Sequence, residues 1–420
     1  MKYKKYEYDN YTVHLLKTDK FKSVFVSLML INDFDRVSLT KASLLRRLLT
    51  YSTEKLKDQT EVTKKVYDLY NSEIYVSNNI HNNVLTTDFS IEILEDKYTE
   101  DGLLKNALEY FFDTIFMPNI IYGKFEEKNY NLAVKNLNDY YNRERENKDT
   151  YAFNRACELL DEEHLRYNPS GYKDDLQKIT NESMVDYYND LFKNADSNIF
   201  VIGSFDETEI LDIINNRVSK KLFKNNNNFI LNDNKKECKI NESTDVEENN
   251  QSNLIMIYKM YNLTKRERNV ILPIFNRIFG VGNNSKLFKD IREEKSLVYD
   301  IRSTTARDEG LIIVQAGIDY KNKDEIIKSV TRVLDDMKNA NITQNELEDS
   351  KKFRKLILKQ FEDDNESILY LKINSILFKS DDLDKMEKEL ETVKLDEIVS
   401  LANKLKLNVV YILKGDKNNE

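Results

Sequence analysis

The feature that most constrains the fold is an order of elements that runs through the chain twice. "SNIFVIGSFD" from Ser197 and "LNVVYILKGDK" from Leu407 are alike: each is a short β-branched, apolar run ended by a glycine turn. Each closes a series of the same kind. The first series opens on a strand-like run, "FKSVFVSLMLIND" (Phe21 to Asp33). The helical "TKASLLRRLLTYS" follows, with Leu44, Leu45, Leu48 and Leu49 at helical spacing. "EVTKKVYDLYNSE" reads as a helix and "EIYVSNN" (Glu73 to Asn79) as a short strand. "LTTDFSIEIL" alternates, with Phe89, Ile91 and Ile93 on one face. Helices are predicted over Gly102 to Phe116, Lys124 to Arg143, Ala152 to Glu162 and Asn181 to Phe192.

The second series repeats that order. "LIMIYKMYN" is a strand, "ERNVILPIFNRIF" and "SKLFKDIREEK" are helices, and "SLVYDIRSTT" and "GLIIVQAGID" are strands. Helices follow over Lys323 to Ala340, Thr343 to Asp364 and Ser367 to Phe378. The two series are offset by about 200 residues. A duplicated α+β domain explains this: two homologous halves, each a mixed, mainly antiparallel sheet with helices on one side. The halves are expected at 1–223 and 254–420. Between them, "KNNNNFILNDNKKECKINESTDVEENNQSN" (224–253) is polar, of low complexity, and reads as an exposed linker with room for a short strand.

Composition narrows the function classes. A net charge of −9 argues against binding nucleic acid by neutralising phosphate. Cys157 and Cys238 are far apart and outside any metal-ligand spacing, which fits a reducing compartment. The N-terminal "MKYKKYEYDNYTVHLL" has no long apolar core, and no stretch approaches the ~18 apolar residues of a membrane span. A cytoplasmic protein with neither nucleic acid nor membrane as partner is expected.

"GVGNNSKLFKDIREEKSLVYDIRS", from Gly280, invites a nucleotide-loop reading and fails it. A helix precedes it, the glycine spacing is wrong, and the lysine follows a serine. The structural expectation is that Gly280 and Gly282 take positive φ and end one helix, while Asn283, Asn284 or Ser285 caps the next. Leu287, Phe288 and Ile291 would bury its inner face.

"SKLFKDIREEKSLVYDIRS" resembles the second-half signature of the pitrilysin-like (M16) zinc metallopeptidases, which include insulinase and the mitochondrial processing peptidase. "NPSGYKDDLQKITNESMVDYYNDLF" and "NIFVIGSFD" are similar to the end of that family's first half, so the resemblance spans nearly the whole chain. It implies a clamshell of two α+β halves around a peptide. It is strongest for a bacterial subgroup that lacks zinc ligands and is associated with modification of elongation factor P.

Hydrolytic members of the family carry H-x-x-E-H on the first helix, two histidines for zinc and a glutamate to activate water. "SLLRRLLTYSTEK" falls where the family reads like "HFLEHMLFKGTEK". The resemblance thus places Ser43, Arg46 and Arg47 at the histidine, glutamate and histidine. Guanidinium groups are cations without acceptors and repel a metal ion. Val134 and Lys135 fall where the family has its paired glutamates. The three histidines, His14 in a strand-like run, His81 in a polar loop and His164 in "DEEHLRY", are not spaced to replace the motif. No catalytic residues, metal or cofactor are expected in this chain.

Arg292 and Tyr299 match the family's substrate-binding arginine and tyrosine. The resemblance therefore implies a non-catalytic subunit of a heterodimeric peptidase, lending Arg292 and Tyr299 to the substrate of a zinc-bearing partner. The residues alone leave a plainer reading open, with Arg292 paired to Asp290 or Glu293 and Tyr299 packed in a strand. The alternative function is a peptide-binding or scaffold protein without protease activity. "EIYVSNN" falls where active members have a substrate-pairing edge strand.

Overall fold

Residues 1–81, 83–218, 222, 239–377 and 380–416 are described by the computed structural model. Residues 224–238 of the expected linker, with Cys238, and the expected helix end at Phe378 lie outside them. The chain divides into two compact units, Met1–Asn142 with Asn168–Leu231, and Arg143–Tyr167 with Asn232–Glu420. The first unit is thus not the contiguous 1–223 of the sequence reading: residues 143–167 are built into the second.

The first unit holds strands β1 (Lys2–Glu7), β2 (Thr12–Lys17), β3 (Ser23–Asn32), β4 (Ile74–His81), β5 (Val84–Leu94) and β6 (Asp196–Gly203). Their order is β1-β2-β6-β3-β5-β4, and only β2 and β6 run parallel. Helices α1 (Arg36–Tyr51), α2 (Gln59–Asp68), α3 (Leu103–Phe116) and α4 (Glu127–Glu146), the last as far as Asn142, come first. After α5 (Lys148–Cys157), which belongs to the second unit, come α6 (Asn181–Asn194) and α7 (Glu207–Val218). β3 is buried along its whole length, as its unbroken apolar run requires of a central strand. Val24, Val26, Leu28 and Leu30 share a core with Phe89, Ile91 and Ile93 of β5 and with Leu44, Leu45, Leu48 and Leu49 of α1. Burial of each such side chain is worth about 1.5–3 kcal/mol. Asp35 caps α1, accepting from the Ser38 amide at 2.7 Å while the Ser38 hydroxyl accepts from the Asp35 amide at 2.9 Å.

The second unit holds β7 (Asn241–Glu247), β8 (Ser252–Lys259), β9 (Val298–Ala306), β10 (Leu311–Ile318) and β11 (Lys406–Gly415), in the order β9-β10-β8-β11-β7. Only β7 and β11 run parallel. Without β1, the two sheets have one topology: β2-β6-β3-β5-β4 in the first answers β7-β11-β8-β10-β9 in the second. The duplication seen in the sequence is therefore a duplication of strand order. β7 is the short strand inside the expected linker, and its alternating "NESTDVE" suits an edge. Residues of α8 (Leu272–Phe279), α9 (Lys323–Lys338), α10 (Gln344–Phe361) and α11 (Leu395–Lys404) share a core with Leu254, Met256, Ile312 and Val314, on one face of this sheet.

The opposite face is covered by the transferred segment. Ala152 and Ala156 of α5, with Leu160, meet Ile255, Ile257, Ile313, Tyr411 and Leu413. Polar bonds fix it in place. Arg155 Nε reaches Asp245 at 3.0 Å, and Asn408 Nδ2 donates to Asp161 at 2.9 Å. Glu162 and Lys259 form an ion pair with both side chains buried. No helix among the described residues is long and apolar enough to cross a membrane.

The glycine stretch departs from expectation in two details. Gly282 has φ +78°, but Gly280 ends α8 at φ −150°. Gly280 is required for space instead: a Cβ there would lie 2.3 Å from Ser303 Oγ and 2.9 Å from Leu287 Cδ1. Nor does Ser285 cap the next helix, since its buried Oγ has no partner. Gly280→Ala should destabilise the protein by about 1–3 kcal/mol in urea melts, because strand and helix must part. An unchanged midpoint would show that Ser303 can swing aside.

Candidate functional site

The helix expected to have lost a metal site is α1. Leucines at 44, 45, 48 and 49 turn one face inward, and Ser43 is buried with them. Arg46 and Arg47 are half-buried. Arg47 Nη1 donates to the Ser43 carbonyl at 2.7 Å, and its guanidinium stands 5.7 Å from the centre of the Tyr140 ring. Tyr140 belongs to α4, which is held to the end of α1 by two further bonds. Asn129 Nδ2 donates to Ser52 Oγ and Asn136 Nδ2 to Tyr51 Oη, both at 2.8 Å. α4 also carries Val134, packed against the core, and the exposed Lys135. The two helices that would supply zinc ligands in a hydrolytic relative are thus side by side, and their donors do not suit a cation. Zinc does not fit a hydroxyl, two guanidiniums, an isopropyl group and an ammonium. Among the described residues, no group of three or more His, Cys, Asp or Glu could hold a metal ion.

The histidines are placed elsewhere. His14 is buried in β2, with Nδ1 2.9 Å from Tyr3 Oη and Nε2 3.2 Å from Asn198 Oδ1, and stacks on Phe200. His81 ends β4 rather than lying in a loop, because it still pairs with Val84. His164 sits in a single helical turn, Glu163–Arg166, where burial pushes its pKa below the usual imidazole range. Burial also pushes the Cys157 thiol up to about 12, so it is no thiolate nucleophile.

Arg292 and Tyr299 lie on either side of one turn. Phe288–Glu294 winds as a π-helix, a wide form common at functional sites. The Leu297 amide closes back on the Ile291 carbonyl at 3.0 Å, with Ser296 at φ +53° between them. β9 then begins at the rim of the sheet. Its register against β10 slips between Val298 and Asp300, which leaves Tyr299 as the extra residue of a bulge. Tyr299 is 68% exposed. Arg292 is exposed, rests over the Phe288 ring at 4.7 Å, and makes no ion pair with the described residues. Asp290 is engaged by Arg332 and by Lys295. The plainer reading, a paired Arg292 and a packed Tyr299, therefore does not describe these side chains. Lys321, bonded to Asp319 at 2.7 Å, is within electrostatic reach of Tyr299. The sequence carried no signal for the bulge that exposes Tyr299.

One edge strand of the first unit is β4, paired with β5. Tyr75 on it is 62% exposed, while Ile74 and Val76 pack inward. α1 packs along it.

Comparison with known proteins agrees with this picture. Residues 178–353 match the Peptidase M16 inactive domain. The chain is 23% identical over 414 residues to the probable inactive metalloprotease YmfF of Bacillus subtilis (strain 168), covering 96% of each. Over 143 residues it is 29% identical to the uncharacterized zinc protease YmxG of the same bacterium, 33% of this chain and 35% of that one. The crystal structure of a conserved protein from Enterococcus faecalis V583 has the same fold, with a TM-score of 0.93 at 23% identity over the whole of both chains. The inactive-domain match and the full-length likeness to an inactive homologue make the chain similar to non-catalytic members of the M16 peptidase-like family.

Proposed function

We propose that the chain is the non-catalytic subunit of a two-chain M16-type zinc peptidase, in which Arg292 and Tyr299 bind the substrate held by a zinc-bearing partner. The observation that carries this reading is the state of those two side chains. Both are exposed and uncommitted around the start of an edge strand, while the nearby Asp290 and Lys321 are each held in an ion pair. A guanidinium and a phenol are both donors, suited to a peptide carbonyl and to the charge that grows on its oxygen during attack. The group that breaks the bond comes from the partner. Bacillus subtilis (strain 168) has both an inactive relative and a zinc-protease relative of this chain, which supports a division of labour between two subunits. The reading includes zinc in the partner only, an unfolded polypeptide or peptide as substrate, and the cytoplasm as location.

The test is co-expression with a zinc-bearing homologue from the same genome. The two should co-purify and cut an unfolded polypeptide, with zinc near one atom per pair and none in this chain alone. Cleavage by the lone chain, abolished by a chelator, would refute the reading. The position of β4 at the margin of its sheet, with Tyr75 exposed, favours a second reading, a peptide-holding or scaffold protein that works without a protease, including in elongation factor P modification.

A further inference from the structure

Replacing the metal ligands of α1 did not leave a neutral surface. Other arginines of the first unit have acidic partners: Arg36, at the start of α1, lies 2.8 Å from Asp175, and Arg217 lies 2.9 Å from Asp113. Arg46 and Arg47 have none among the described residues. Of the five N–H donors of Arg47, one is spent on the Ser43 carbonyl. The Tyr140 ring beneath it is fixed, its hydroxyl 3.1 Å from Ser170 Oγ, and the adjacent Tyr141 hydroxyl donates to the Ser170 carbonyl at 2.7 Å. Burial, and then the like charge of Arg46, depress the Arg47 pKa, the mark of a cation removed from water without a counter-ion. Such a charge is costly to fold around.

The edge strand beside α1 adds a donor. Strand alternation places Asn78 on the same face as Ile74 and Val76, towards the helices. Its Oδ1 accepts from Thr87 at 2.9 Å, but its amide nitrogen is buried without a partner. β4 is the outermost strand on its side of the sheet, the place where another extended chain can be added.

We infer that this region has changed the sign of its ligand: Arg46 and Arg47 form a carboxylate-binding site for an aspartate or glutamate side chain of an extended peptide paired along β4. A carboxylate answers the guanidinium fork bidentately and supplies the missing counter-charge. The inference rests on the peptide-binding element of the proposed function and adds a substrate preference to it.

Fluorescence anisotropy tests it with dye-labelled unstructured peptides of alternating polar and apolar residues. One set carries a glutamate at each polar position in turn, and the control set carries glutamine there. The wild-type chain should bind the best glutamate peptide about tenfold or more tighter than its glutamine twin. Arg46→Gln and Arg47→Gln should bring that ratio towards one, and Arg47→Lys should retain part of it. Equal binding of both sets, or an undiminished ratio in the double glutamine variant, would overturn the inference and leave peptide binding standing. If neither set binds, peptide binding itself fails and the inference with it. Thermal melts check the variants' folding, and if they unfold, the wild-type ratio alone decides.

Discussion

Arg292→Ala and Tyr299→Phe should each lower the peptidase rate of the reconstituted pair by about 10²-fold or more, while leaving this chain folded. A donor aimed at a developing oxyanion typically contributes that much, because it is oriented before charge appears and needs no rearrangement. The two side chains are suited to so selective a test. Tyr299 sits in a bulge with its ring outside the core, so losing the hydroxyl removes no packing. Arg292 rests over the Phe288 ring and makes no ion pair among the described residues, so its removal strands no carboxylate there. Melting temperatures should therefore stay within about 2 °C of wild type, since surface changes of this kind are nearly neutral. The loss should fall on kcat more than on KM if the donors act on the transition state. Should both variants leave the rate intact, the donor assignment is wrong and the pairing would have to be explained by peptide holding alone.

Glu162→Ala should be among the most destabilising single changes in the second unit, at about 3–5 kcal/mol. The glutamate and Lys259 are buried together, at the turn that leads α5 off the sheet. Removing the glutamate leaves the buried ammonium with the Tyr261 ring at 4.9 Å and the more remote charge of Asp161, neither of which replaces a direct ion pair. The expected reading is a large fall in the urea midpoint. Replacing both at once, Glu162→Leu with Lys259→Met, should recover most of the loss, because a buried ion pair exchanged for apolar volume is often neutral. A single variant as stable as wild type would show the pair to be solvated and the segment to be held by Ala152, Ala156 and Leu160 alone.

Which parts of this were legible in the sequence follows from the physics of each. The repeat was legible because β3, β5, β8 and β11 alternate or run continuously apolar and are bounded by turns. Local pattern fixes such strands wherever they end up. The chemistry offered at Ser43, Arg46 and Arg47 was equally plain, since a hydroxyl and two guanidiniums on α1 are read directly from the residue types. The exchange of residues 143–167 between units was not. α5 has an amphipathic pattern that any apolar sheet face would accept, and the choice of sheet is made by Ile255, Ile257 and Tyr411, about 100 residues or more away. The role of Gly280 was misjudged for a related reason. Positive φ is a local property and can be guessed, whereas the approach of Ser303 is a fact of packing. The exposure of Tyr299 depends on a register slip, and register is settled by pairing with β10.

The transfer of α5 has a consequence for biosynthesis. On the ribosome, Ala152, Ala156 and Leu160 emerge about 100 residues ahead of the first strand they cover, and more than 240 ahead of Tyr411. Until then the nascent chain carries an amphipathic helix whose apolar face has nothing to lie on, at the stage when chaperones engage it. A fragment cut at 254 would meet the converse problem, with Ile255, Ile257 and Ile313 turned to water, and would be expected to precipitate rather than fold.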